Sequence, residues 1–489
     1  MSVNLNKKLL IALLTCAIAT GGTAVTAADS TNANEVQPTE TKQPEAAAAS
    51  AGKALKNADK LNTKEILKVA LYHIKHYLKD DVQTQGKKLS ASDDLLPLYD
   101  FEGNLFAYMV PLLEAKKEIG FITVGALTDG YDVYSVRIED NAVSTIREQL
   151  AAALANGASE ATVVFLPPYQ YFVKAVQPSG EQYTDLTQPK AAKDVTQRVL
   201  KNKAALRSGY EFIRNAENEK HLSNILNTPD TDADTDTAAN ADTASDPVAA
   251  VSALGASSAL SSSTVMAVAA ATVTKEDIAL SSERNYSQFV PVEYKTGVYS
   301  YGGDQGWYAK SSQQDNGCGP VAAANITNYM ATVTNSTKYG KMYTGSTLSY
   351  SNFLAHMNTM YTKIDPGWLG ELSIWDFADK VESYAKDKGV TLKRVTSSAS
   401  FTLDNTANYI KAGLNSNVPV GTLNLSMFSD YEYEWHWMTI TKYYRDVNDN
   451  RWIAVSTWGR RESINYQTHF DAMKAFEGIV GAPGLIYFS

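Results

Sequence analysis

Asn316-Gly317-Cys318-Gly319-Pro320-Val321-Ala322-Ala323-Ala324-Asn325-Ile326 is the stretch on which the fold reading turns. A cysteine stands between glycines, and small and apolar residues that can form a helix follow it. A thiol at a helix N-terminus meets the positive end of the macrodipole, which favours the thiolate. The sequence has two cysteines, and the other, Cys16, lies inside an N-terminal apolar run with the pattern of an export signal. Cys318 is therefore expected to have no disulfide partner in the mature chain. A leftover cysteine of an exported protein is either a reactive group or a small buried hydrophobe.

The export reading rests on Lys7 and Lys8, the mostly apolar Leu9 to Thr20, and the small residues of Ala24-Val25-Thr26-Ala27-Ala28. They predict a signal peptide over 1–27, whose apolar run, Leu9 to Thr20, is too short to span a bilayer comfortably. A lipoprotein reading through Leu14-Thr15-Cys16 is disfavoured, because Thr precedes the cysteine and the apolar run continues past it. No later stretch is apolar enough for a membrane helix. Gly484 to Ser489 carries neither a hydrophobic anchor nor a wall-sorting tail, so a secreted protein, free or loosely held at the cell surface, is expected. The net charge of -9 and the lack of a basic patch argue against nucleic acid as a partner.

Composition divides the rest. Residues 28–60 are rich in Ala, Thr, Glu, Gln and Pro and read as a flexible spacer. Residues 61–226 read as a small α+β domain, either a pro-region of a precursor or an accessory, substrate-binding module. Its first helix starts at a cap on Asn62 or Thr63, with Leu67, Leu71, Ile74 and Leu78 at helical spacing as its apolar face. Strands are predicted over Pro97–Phe101, Leu105–Val110, Gly120–Val124, Tyr131–Val136, Thr162–Leu166 and Tyr171–Val176, with a helix over Asn141–Ala155. Residues 227–283 read as a low-complexity linker, acidic and Thr-rich first, Ala- and Ser-rich later, with Val265–Val273 open to a short ordered segment. All seven tryptophans lie beyond Ser282. That aromatic-rich region can bury its own core and line a cleft for a peptide. Helices are expected from Cys318 to about Thr332, over Leu372–Lys388 and over Asp404–Asn415. Strands follow over Val418–Leu423, Trp435–Tyr444, Trp452–Thr457 and Leu485–Phe488. A helical half bearing the cysteine, followed by an antiparallel sheet, is a papain-like layout within the α+β class.

A cysteine nucleophile needs a base, usually histidine, whose pKa lies near neutrality. His436 is the leading candidate, in the strand-like Glu434-Trp435-His436-Trp437-Met438-Thr439. His469 comes second, and His356 sits in an ordinary helix pattern. Trp435 and Trp437 read as core. The base in turn needs an orienting group, and the next strand ends in Ser456-Thr457-Trp458-Gly459. Asp446-Val447-Asn448-Asp449-Asn450 lacks the loop length and final Glu of a calcium loop and reads as a hairpin turn. His73 and His76 share a helix face without a third ligand, so no metal and no cofactor are expected.

Asn316-Gly317-Cys318-Gly319-Pro320 with its small-residue helix, Trp435-His436-Trp437 on a strand, and Ser456-Thr457-Trp458-Gly459 on the next resemble secreted bacterial papain-like cysteine peptidases of the double-glycine-leader peptidase-like group. The resemblance covers roughly residues 284–489. The N-terminal domain, with Asp100-Phe101-Glu102-Gly103-Asn104 between strands, is loosely similar to propeptides of streptopain-type proteases. The first resemblance implies Cys318 as nucleophile and His436 as general base. The Cys318 backbone N–H and a preceding glutamine would bind the oxyanion. The family places that glutamine about six residues before the cysteine. Position 312 here is Ser, so Gln313 is favoured, with Gln314 and Gln305 as the other choices. Ser456 occupies the third catalytic position, where the family has Asn or Asp. A peptide or protein is the implied substrate. Two alternatives stay open: a peptidase or amidase acting on cell-wall peptides, and a surface-binding module that keeps the fold without the activity.

Overall fold

The computed structural model describes residues 59–167, 170–186, 193–197, 199–200, 210, 219–227, 273–366, 373–425, 435–480 and 484–489. The expected signal peptide, most of the spacer and linker, including 265–272, and Trp368 lie outside the described residues.

Asn62 caps the first helix, Thr63–His73. Its side chain accepts from the Glu65 backbone N–H at 3.1 Å, and Glu65 Oε2 accepts from the Asn62 N–H at 2.8 Å. This reciprocal box satisfies two donors that a helix start leaves open. The buried face differs from the one the spacing predicts. Ile66, Val69, Ala70 and His73 are buried, while Leu71 is 49% exposed. The helix widens into a π turn over Ile74–Leu78, and the extra residue swings Tyr77 and Leu78 into the core.

The strands of this first region are β1 (Leu89–Ala91), β2 (Leu96–Tyr99), β3 (Leu105–Glu114), β4 (Lys117–Gly125), β5 (Val133–Ile138), β6 (Glu160–Leu166), β7 (Gln170–Gln177), β8 (Gly180–Asp185) and β9 (Lys193–Asp194). A two-residue turn at Ala115-Lys116, both at positive φ, joins β3 to β4. That turn shape matches the right-handed twist of the two strands. The Ala142–Ala155 helix connects β5 to β6, and Phe106, Phe121, Tyr134, Phe165 and Tyr171 fill the space beneath it.

The second region contributes β10 (Glu276–Ala279), the small hairpin β11 (Glu293–Lys295) and β12 (Val298–Tyr299), β13 (Val420–Leu425), β14 (Trp435–Arg445), β15 (Arg451–Thr457), β16 (Arg460–Asn465) and β17 (Leu485–Ile486). Its helices include Cys318–Tyr329, Tyr350–Ile364, Ile374–Asp387, Leu403–Asn415 and Tyr466–Val480. Every residue of the Cys318–Tyr329 helix is buried. Its Ala322-Ala323-Ala324 core lets it lie close to β14 on one side and to the Tyr350–Ile364 helix on the other. The expected Asp446–Asn450 turn is a hairpin: Arg445 pairs with Arg451, and Asp446 Oδ1 accepts from the N–H groups of Asn448 and Asn450, each at 2.8 Å. Strand β16 and the helix after it have no counterpart in the sequence-based expectation.

The chain is α+β, as its sequence pattern predicts, with a mixed and mostly antiparallel sheet. The sheet does not stop at the boundary between the regions. Among the described residues it has 15 strands in the order β17-β13-β14-β15-β16-β5-β4-β3-β2-β6-β7-β8-β9, with β1 added on β3 and β10 on β14. The join is antiparallel, Ser463 opposite Val136 and Ile464 opposite Ser135. The β2–β6 pair is parallel. One hydrophobic cluster draws on both regions: Tyr444 and Trp452 pack with Val110, Ile122 and Val124. The Tyr77 ring stacks on Trp452 with centroids 4.6 Å apart. The two regions thus share a sheet and part of a core.

Candidate active site

Cys318 is the first residue of its helix, with Gly317 as the capping position. Gly317 has a local cause. A Cβ there would stand 2.4 Å from the Gln313 carbonyl oxygen and 2.5 Å from the Tyr308 ring. The turn before the thiol is therefore too tight for any side chain. Cys318 is 7% exposed and is not in a disulfide.

One cavity brings Cys318, His436 and Ser456 together. Its walls include Cys318, Ala322 and Asn325 from the helix, His436, Trp437 and Thr439 from β14, and Ser456, Thr457 and Trp458 from the end of β15. Gly303 and Gln305 close it from a preceding loop. Neither His356 nor His469 lines it. His356 Nε2 is hydrogen-bonded to Thr327 Oγ1 at 2.9 Å inside the helical layer, and His469 Nε2 to Thr422 Oγ1 at 2.9 Å.

Strand β14 is an interior strand, paired with β13 on one side and β15 on the other, and His436 lies on the stretch paired with β13, opposite Asn424. The imidazole is fixed from two directions. His436 Nε2 is hydrogen-bonded to Thr457 Oγ1 at 2.7 Å. The Trp458 indole stacks on the ring with centroids 4.2 Å apart and planes 14° from parallel. Burial pushes the His436 pKa down to about 3, so the ring is neutral at neutral pH. Trp437 is core, as its place in the sequence suggests: it is buried and stacks on Phe377 at 4.0 Å. The Trp435 side chain lies outside the described residues.

Ser456 and Thr457 are strand neighbours and point to opposite sides. Thr457 reaches His436. Ser456 Oγ instead donates to the Tyr301 carbonyl at 2.7 Å and lies 3.5 Å from Asn325 Nδ2. Asn325 Oδ1 accepts from the Gly303 N–H at 2.8 Å. Ser456 and Asn325 together tie the loop, the helix and β15 into one wall.

The glutamines separate as well. Gln305 lines the cavity, and its side-chain amide donates to the Gln314 carbonyl at 2.7 Å. An amide has two N–H donors, so one remains for a ligand. Gln314 Nε2 donates to the Tyr308 carbonyl at 2.6 Å, a structural contact. Gln313 is on the short helix Ser311–Asn316 and is not among the cavity residues.

Thr457 and Asn325 had no role in the sequence reading, and of the loop Tyr301-Gly302-Gly303-Asp304-Gln305-Gly306 only Gln305 did, as one choice for the oxyanion glutamine. The signal for the loop was present: three glycines in six residues mark close backbone approach. Gly302 has φ +82°, and a Cβ there would be 2.2 Å from Ser456 Oγ. The Trp458-Gly459 turn is equally specific. Both residues have positive φ, 46° and 69°, as a two-residue hairpin turn requires. The loop clamps it, with the Tyr301 N–H donating to the Gly459 carbonyl at 2.8 Å and the Gly459 N–H to the Gly303 carbonyl at 2.9 Å.

No family model matches the chain, and no curated protein matches it significantly.

Proposed function

We propose that this protein is a secreted, papain-like cysteine peptidase that cleaves peptide bonds with Cys318 as nucleophile and His436 as general base. The observation that carries the reading is the shared cavity: the thiol at a helix start and an oriented, neutral imidazole on the facing strand. A buried structural cysteine has no need of a histidine held by both a hydroxyl and an indole.

The chemistry follows from the nitrogen that is tied. When Nε2–H donates to Thr457 Oγ1, Nδ1 is bare and takes the thiol proton. The thiolate attacks the peptide carbonyl carbon, and the carbonyl π pair moves onto oxygen. The Cys318 backbone N–H and the second N–H of Gln305 stabilise that oxyanion. The tetrahedral centre collapses, the C–N bond breaks, and the imidazolium returns its proton to the leaving amine. Water then hydrolyses the thioester with His436 again acting as base. Thr457 is a positioning residue. It fixes the tautomer without contributing a negative charge, so the imidazolium intermediate has less support than a carboxylate would give.

Hydrolysis of casein or a mixed peptide library by purified protein tests this reading. Cys318→Ala and His436→Ala should each abolish the thiol-dependent activity. A parent protein without hydrolysis on any peptide, or a Cys318→Ala variant with full activity, would end it.

A further inference from the structure

We propose that the first region, 59–227, is a permanent brace of the Cys318 site and not a segment shed on activation. The inference stands on packing and does not depend on the peptidase reading.

The backbone gives the first reason. Strand β16 lies between β15, which carries Ser456 and Thr457, and β5 of the first region. Without β5, β16 becomes a sheet edge with unpaired N–H and C=O groups.

Buried charge gives the second. Arg461 Nη2 lies 2.7 Å from Asp81 Oδ2 and 2.6 Å from Glu283 Oε1, and all three side chains are at most 2% exposed. Arg137 Nε lies 2.7 Å from Glu462 Oε1, with both at most 4% exposed. Asp81 and Arg137 belong to the first region; Arg461 and Glu462 belong to β16. Separation would strip a buried guanidinium of one carboxylate and a buried carboxylate of its closest guanidinium. Removing one partner while the interface stays closed leaves the other charge buried and unpaired, which costs more than the pair itself contributes.

The third reason is where this network leads. Glu283 Oε2 accepts from Thr441 Oγ1 at 2.6 Å and from the Tyr301 hydroxyl. The Tyr301 carbonyl accepts from Ser456 Oγ in the cavity wall. A chain of contacts therefore runs from Asp81 through Arg461 and Glu283 to the Tyr301 hydroxyl, and through the Tyr301 side chain to its carbonyl and Ser456. Among the described residues, those lining the cavity run from Gly303 to Trp458. The described residues of the first region thus support the cavity wall without lining the cavity.

The test uses the full chain with a specific protease site inserted between Ser245 and Asp246. After complete cutting, confirmed by intact mass, the two fragments should co-elute in gel filtration at micromolar concentration. Asp81→Asn should weaken their association at least about ten-fold on dilution. It should also raise amide hydrogen exchange over residues 451–465. Fragments that separate after cutting would overturn the proposal, as would an Asp81→Asn complex as tight as the parent. Neither result says anything about peptide hydrolysis.

Discussion

His436 and its neighbours set what the site can do at the level of single residues. The imidazole is held through Nε2 by a hydroxyl, so removing that hydroxyl frees the ring without moving the strand. Thr457→Val keeps the shape and deletes the hydrogen bond. It should lower kcat/KM for peptide hydrolysis about ten-fold, roughly 1.4 kcal/mol of barrier, with Thr457→Ser close to the parent. Ser456→Ala should act differently. It removes a hydrogen bond to the Tyr301 carbonyl and leaves that buried acceptor unpaired. Unfolding free energy should drop by about 1–3 kcal/mol, with a smaller effect on rate than Thr457→Val. Denaturant titration alongside kinetics separates the two, and a Ser456→Ala variant slower than Thr457→Val would reverse their roles. The meeting of Cys318 and His436 in one cavity was legible, because a lone thiol and a histidine flanked by tryptophans are uncommon residues in informative settings. The hydroxyl was legible only to within one residue. Adjacent strand positions face opposite ways, and no local pattern in Ser456-Thr457 says which one faces the ring.

Loops and turns decide the site at the level of elements, and here glycine geometry is testable. Gly297 and Gly302 both have positive φ, 72° and 82°. A Cβ at Gly297 meets nothing within 4 Å, whereas at Gly302 it would strike Ser456 Oγ and Asn325 Nδ2. Gly297→Ala should therefore cost only the left-handed backbone term, about 1–2 kcal/mol by denaturant unfolding. Gly302→Ala should cost more and also depress kcat, because the displaced side chains belong to the cavity wall. Equal effects of the two would mean that the loop does not shape the site. The sequence made most strands and helices readable through alternation and caps, as in β3 to β7 and the Asn62 capping box. It did not reveal β16, whose Arg460-Arg461-Glu462-Ser463 reads as a solvated polar run. Arg461 and Glu462 are buried because Asp81, Glu283 and Arg137 meet them from distant parts of the chain, and pairing across such long sequence separations leaves no local trace.

Burial of histidine shapes the response of the whole molecule to pH. Burial lowers the pKa of His436 to about 3 and that of His469 to about 4, and burial with nearby Lys388 lowers His356 to about 4. The unfolded chain binds protons at these groups near pH 6.5, and the folded chain does not. Their stabilising effect is thus complete above about pH 6.5 and is lost as pH falls towards 4, by up to about 1.4 kcal/mol per histidine per pH unit. Asp81 follows lower: burial raises its pKa, but Arg461 and Lys442 outweigh burial and hold it at about 2, so its contribution fades only below about pH 4. Thermal unfolding at fixed ionic strength should give a Tm that falls steadily from pH 6.5 to 4. A flat Tm over that range would mean that these histidines are protonated in the folded chain. The sharing of one sheet by two regions was the least legible feature of all, since each region reads as self-sufficient when only its own periodicity is considered. What the shared scaffold presents is a thiol and a buried imidazole lining one cavity, and the most direct measurement is covalent labelling of the intact native chain. A peptide-like electrophile, followed by intact mass and peptide mapping, should add one label at Cys318 without denaturant, with the rate lost in His436→Ala. Labelling that requires denaturant, or that proceeds equally fast in His436→Ala, would contradict the account.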